Sequence, residues 1–144
     1  MTGAGAAHDP RHFPLRPDET EAAVALWEAC GLTRPWNDPR ADIALALSRP
    51  SSTILAGRID SKLVATAMTG SDGHRGWVYY LAVDPTAQRK GYGAAMMHAA
   101  AAWLREIGAP KLHVMIRSEN LGVAAFYARL GYVKSDTITM ATRL

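Results

Sequence analysis

Hydrophobic positions along the chain change period several times, and each change marks an element. Residues 19–29 and 39–47 carry apolar side chains at helical spacing. Asp18 and Asp38 stand where an N-cap is needed, and Pro39 occupies a first helical position. A strand is expected just before, ending at Arg16-Pro17-Asp18. Residues 53–59 and 63–69 read as strands joined by a hairpin turn at Asp60-Ser61-Lys62. After a loop from Gly70 to Gly76, residues 77–83 are apolar throughout. Trp77, Tyr79, Leu81 and Val83 are expected on one face and Val78, Tyr80 and Ala82 on the other, so helices should cover both. Residues 94–107 predict a helix. Residues 111–117 predict a strand whose Leu112, Val114 and Ile116 face a core. Asn120 can cap a further helix with an inward stripe of Val123, Phe126 or Tyr127, and Leu130, ended by Gly131 as a left-handed C′ residue. Residues 137–143 predict a last strand.

Between the strand at 77–83 and the helix at 94–107 stands Gln88-Arg89-Lys90-Gly91-Tyr92-Gly93-Ala94. Glycines at i and i+2 before a helix start let backbone N–H groups point at one ligand, where the helix end is partially positive. With Arg89 and Lys90 alongside, the turn suits a diphosphate. It is not a P-loop, because no Gly-x-x-x-x-Gly-Lys-Ser/Thr run exists. A dinucleotide fingerprint would need a third glycine where Met96 stands and an acidic residue closing the next strand, which instead ends at Arg117.

What remains, Gln/Arg-x-x-Gly-x-Gly/Ala after a strand ending Val83-Asp84-Pro85, resembles motif A of the GNAT N-acetyltransferases. Asn120, then Tyr127 seven positions later, then Leu130-Gly131-Tyr132, resembles a second motif of that family. The resemblance covers nearly all of the chain after residue 12. It implies an α/β (α+β) single-domain GNAT fold at residues 13–144, following a flexible tail at residues 1–12. The sheet should be mixed, mostly antiparallel and of about six to seven strands, with four helices and splayed central strands. Arg34-Pro35-Trp36-Asn37-Asp38-Pro39, with the Asp72-Gly73-His74-Arg75-Gly76 and Tyr79-Tyr80-Leu81 runs, is similar to a bacterial subgroup, the YpeA-like acetyltransferases.

The resemblance also implies a chemistry. Acetyl-CoA would give its acetyl group to a primary amine by direct attack. Gln88, Arg89, Lys90, Gly91, Tyr92, Gly93 and Ala94 would hold the pyrophosphate, and backbone groups of Leu81, Ala82 and Val83 the pantetheine amides. Asn120 would bind the pantetheine arm. Tyr127 would protonate the departing sulfur, help worth roughly 10²–10⁴ in rate. Some relatives carry a glutamate where Met115 stands, so the base is open. Glu119, His113, and Asp72 with His74 are candidates, as is a water relay. Trp36, Asn37 and Asp38, between the first two helices, together with His113, are the candidate acceptor residues; Asp38 equally serves as a helix cap. A compact amine is the favoured acceptor. Protein N-termini or lysines, or a non-catalytic CoA-binding module, remain alternatives.

Composition narrows this further. With 144 residues, 49% hydrophobic and 20% charged, the chain suits one globular domain. No apolar run is long enough to cross a membrane, and residues 1–14 lack a signal-type apolar stretch. One cysteine, Cys30, excludes an internal disulfide and fits the cytoplasm. The net charge of +3 is spread without a basic run, which suits steering an anionic cofactor better than binding nucleic acid. No metal is expected, and a homodimer through the C-terminal strands is an open possibility.

Overall fold

The computed structural model describes residues 14–144. The expected tail at residues 1–12 lies outside the described residues, as does Phe13. Of the expected first strand one antiparallel bridge is described, Pro14 to Leu55, with the Leu15 N–H donating to the Ile54 carbonyl at 2.8 Å. A short 3-10 turn at Pro17–Glu19 leads into α1 (Thr20–Ala29) and α2 (Pro39–Leu47). There follow β1 (Ser52–Ile59), β2 (Lys62–Ser71) and β3 (Gly76–Val83), then a 3-10 turn at Pro85–Ala87. The chain continues through α3 (Tyr92–Glu106), β4 (Leu112–Val114) and α4 (Leu121–Arg129).

Local chemistry explains the element ends. Asp38 accepts from the N–H groups of Arg40 and Ala41 and caps α2. Asp18 does not cap α1: it bonds the Arg16 side chain, and the N-cap position falls on Glu19. Glu19 is instead drawn inward, where it accepts from the Arg16 N–H and pairs with Arg58 of β1. Asp60 and Ser61, at φ 50° and 67°, make the two-residue hairpin turn between β1 and β2. Left-handed backbone at both central positions matches the twist of the strands it joins.

The sheet runs β1-β2-β3-β4, antiparallel across the first two pairs and parallel between β3 and β4. Helices cover both faces. Trp27, Ile43, Ile54 and Ala82 lie in the core beneath α1 and α2, and Ala67, Val78, Met96, Met97 and Tyr127 in the core beneath α3 and α4.

Several expectations are corrected. Four strands form among the described residues, not six to seven. Residues 137–143 alternate in sequence, yet Ile138 and Met140 are each 86% exposed and the segment joins no ladder. β4 also closes early, at Val114, instead of running to Arg117. The face assignment along β3 breaks midway as well: Val78 packs with Leu81 and Val83 on the α3 side, while Tyr80 and Ala82 face α1 and α2.

Candidate active site

The break in β3 is a bulge. Met68 pairs with Tyr79 and Thr66 with Ala82, so Tyr80 and Leu81 both stand opposite Ala67. Tyr80 sits at φ 51°, a left-handed conformation that a bulky residue keeps only when its surroundings hold it. Those surroundings are explicit. The Trp27 indole stacks on the Tyr80 ring at 3.7 Å, and the Tyr80 hydroxyl donates to Asp42 Oδ2 at 2.8 Å. Trp27 Nε1–H donates to Thr66 Oγ1, whose own hydrogen goes to the Tyr80 carbonyl, each at 2.9 Å. Burial, and then the bond to Asp42, pushes the Tyr80 hydroxyl up to about 12, so it remains a donor at neutral pH.

Beyond the bulge the central strands part. β3 and β4 pair only at Gly76–Leu112, Trp77–His113 and Val78–Val114; from Tyr79 onward β3 has no partner there. A cavity of about 890 Å³ lies against this stretch of β3. Tyr80 and Leu81 of β3, Asn37 and Asp42 from the α1–α2 region, Met115 and Arg117 after β4, and Asn120 and Tyr127 of the α4 region line it. Its size suits a small molecule or part of a larger cofactor.

At the far end of β3 the glycine-bearing turn begins. Gln88 Nε2 and Cys30 Sγ both donate to the Val83 carbonyl, at 3.1 and 3.2 Å. Arg89 (φ 65°) and Gly91 (φ 83°) reverse the chain, and α3 starts after Gly91 with no side chain capping it. The two glycines have different reasons. Gly91 is required by its φ and faces open space, whereas a Cβ on Gly93 would come within 3.3 Å of Phe126. Gly93 therefore lets α3 approach α4, which brings the turn and the Asn120 helix together.

On α4, Tyr127 is 6% exposed, with its ring edge-to-face against Phe126 and Tyr132. Its hydroxyl lies 3.9 Å from Met97 Sδ, a weak acceptor. Burial, and next the neighbouring Tyr132, pushes it up to about 12. Asn120 Oδ1 accepts from the Val123 N–H at 3.2 Å and caps the helix.

Residues 15–132 match the acetyltransferase (GNAT) family. An acetyltransferase from Pectobacterium atrosepticum is 40% identical over 130 residues, covering 90% of this chain and 92% of that protein. This chain belongs to the GNAT family. As a GNAT acetyltransferase it is an acyl-transferring enzyme. Two solved structures share its fold. Aminoglycoside N-acetyltransferase AAC(6')-Iy in complex with CoA matches with a TM-score of 0.78 at 14% identity, over 91% of this chain and 92% of that one. The ribosomal-protein-S18-alanine N-acetyltransferase from Escherichia coli matches with a TM-score of 0.72 at 21% identity, over 85% and 76%.

The site residues expected from the GNAT motifs fall in different places. Leu81, Asn37, Asn120 and Tyr127 meet in the cavity. Ala82 and Val83 pair with Thr66 and Ala65 of β2, and Gln88, Arg89, Lys90, Gly91, Tyr92, Gly93 and Ala94 form the turn beside α4. Glu119 is exposed before α4, 3.4 Å from the Ser118 hydroxyl, and does not line the cavity. Trp36 is 56% exposed under the Arg117 guanidinium, its carbonyl accepting from Arg143, and Asp38 is committed to its cap. His113 packs edge-on to Trp77, its buried Nε2 without a hydrogen-bond partner among the described residues. Asp72 lines the cavity but accepts from the Arg75 and His74 N–H groups and from Trp77 Nε1. Those bonds, Arg75 first, hold its carboxyl down at about 2, too low for an effective base. Sequence reading missed Asp42 and the role of Tyr80. An acidic residue four positions after Asp38 looks like an exposed helix residue until the bulge brings Tyr80 to it.

Proposed function

We propose that this GNAT enzyme transfers the acetyl group of acetyl-CoA directly to a primary amine on a compact acceptor, within the cavity where β3 leaves β4. The parting of the two strands after Val78, beside a cavity that Leu81, Asn120 and Tyr127 line, carries the reading. The residues present fit the co-substrate. An uncapped α3 start with open space before Gly91 and with exposed Arg89 and Lys90 suits a diphosphate. The unpaired edge of β3 suits an amide-bearing arm, because strand groups without a ladder partner want hydrogen bonds.

Acetyl-CoA, when bound, supplies an acyl group activated as a thioester. The chain's own residues then have three tasks. Backbone groups of the bulge at Tyr80 and Leu81, turned out of register with β2, polarise the acyl carbonyl as an oxyanion hole does. Asn120 keeps its capping bond and offers its amide to the arm. Tyr127 holds a proton for the departing sulfur. Its hydroxyl is only weakly engaged by Met97 and stays protonated at neutral pH, as a general acid must. Among the described carboxylates of the cavity Asp72 is committed to three hydrogen bonds and Asp42 is held by Tyr80, so a neutral amine or a water relay suits the site better than Glu119 or His113.

A compact acceptor is favoured because the α1–α2 segment, stiffened by Pro35 and Pro39, walls the cavity with Asn37. A protein N-terminus is the second reading. Calorimetric titration with acetyl-CoA, beside an Arg89→Ala/Gly91→Asp variant, tests the cofactor site. Micromolar binding that the variant loses supports it; no binding to the wild type overturns it. Screening amines and peptides by CoA release then separates the two acceptor classes.

A further inference from the structure

Asp42 is unlike the other charged groups of the cavity. Arg34 donates to the Gly31 and Thr33 carbonyls, Arg117 lies over the Trp36 ring, and Asp72 already accepts three hydrogen bonds. Asp42 accepts one, from the Tyr80 hydroxyl at Oδ2, and among the described residues its Oδ1 has no partner. Tyr80 itself is held by the Trp27 stack and by the Thr66 bond to its carbonyl. The carboxylate is thus aimed by a rigid donor in the cavity that also holds Leu81 and Tyr127. A fixed, half-used carboxylate facing a small-molecule cavity is a receptor for a cation.

Asp42 reaches the cavity from the α1–α2 side of the sheet and Tyr127 from the α3–α4 side. A carboxylate beside the reacting nitrogen would keep that nitrogen protonated and inert, since it favours the charged form. The cation that Asp42 binds is therefore a different group of the acceptor. We propose that Asp42, oriented by Tyr80, is a specificity-determining subsite for a second, protonated amino group, so that the acceptors of this enzyme are diamines or polyamines. Tyr80 is a positioning residue, acting through Asp42. The inference rests on the acetyltransferase reading above.

The test compares α,ω-diamines with n-alkylamines of the same length, measuring CoA release by the full chain at saturating acetyl-CoA. A hydrogen-bonded charge pair of this kind corresponds to about ten- to hundredfold in affinity. The best diamine should exceed its monoamine match by about that factor in kcat/KM, chiefly through KM. Asp42→Asn should bring the ratio to about one, and Asp42→Glu should restore part of it. Tyr80→Phe should lower the diamine-to-monoamine ratio by a smaller factor than Asp42→Asn does, a change in selectivity that a merely structural role would not produce. Thermal unfolding establishes that each variant is folded. An unchanged ratio in folded Asp42→Asn overturns the assignment. Equal use of both amine classes by the wild type overturns it too, and leaves the acetyltransferase reading standing. Binding of acetyl-CoA with no amine turned over does the same, whereas no acetyl-CoA binding at all removes both.

Discussion

The indole of Trp27 lies flat on the ring of Tyr80, 3.7 Å between centroids and 6° between planes, although the first is on α1 and the second on β3. The contact exists because Tyr80 occupies left-handed backbone in a bulge, and it keeps Tyr80 there. Thr66 completes the clamp by accepting from the indole and donating to the Tyr80 carbonyl. Thr66→Val keeps the volume but removes the hydroxyl and leaves a buried indole N–H unpaired. Denaturant unfolding should show a loss of about 1–3 kcal/mol, and acetylation should fall as the bulge relaxes. Unchanged stability would mean that the stack alone holds Tyr80.

Tyr127→Phe should cut turnover by about 10²–10⁴ and leave acetyl-CoA affinity intact. A non-catalytic CoA-binding module would have no turnover to lose and would bind acetyl-CoA alike in both forms, so steady-state rates beside calorimetry decide between them. Because the Tyr127 hydroxyl is raised to about 12, an alkaline fall in rate centred below pH 10 belongs to another group. The same shift acts on stability. A phenol whose folded value is raised contributes fully below its unfolded value near 10, and that contribution disappears as pH rises toward 12.

The nearly buried pair of Glu19 and Arg58 ties the turn before α1 to β1. The Arg58 hydrogen bond, more than any other influence, holds the Glu19 carboxyl below its usual range of about 4.5. Its stabilisation is therefore present above that value and disappears as pH falls through the lowered one. Arg58→Ala strands a carboxylate with little solvent and should cost about 3 kcal/mol. Comparing acid unfolding of wild type and variant checks the sign: the difference between them should shrink as pH drops below 4.

Gly76 opens β3 at the point where β4 begins to pair with it. A Cβ there would lie 2.6 Å from Leu104 Cδ1 of α3. Gly76→Ala should destabilise by about 1–3 kcal/mol through overpacking, measurable as a lowered unfolding midpoint. Gly91→Ala would meet no atom within 4 Å, but its φ of 83° strains any other residue. Acetyl-CoA affinity should fall there with a smaller loss of stability.

Much of this protein was legible in its residues. Short-range rules decide where a helix starts and where a hairpin turns, so Asp38, Asn120, Gly131 and the Asp60-Ser61 turn fell where the sequence placed them. The glycine turn and the Asn120–Tyr127 spacing carried the family for the same reason, because each is a local motif. The structure alone decided what depends on partners far along the chain. Residues 137–143 have a strand's alternation, but a strand needs an edge to pair with, and they found none. Alternation along 77–83 predicted faces that the bulge inverts after Tyr79, since a pattern of period two contains no record of an extra residue. That bulge joins Tyr80 to Asp42 across 38 positions of sequence. No local pattern encodes such a contact; it exists only once α1, α2 and β3 have packed.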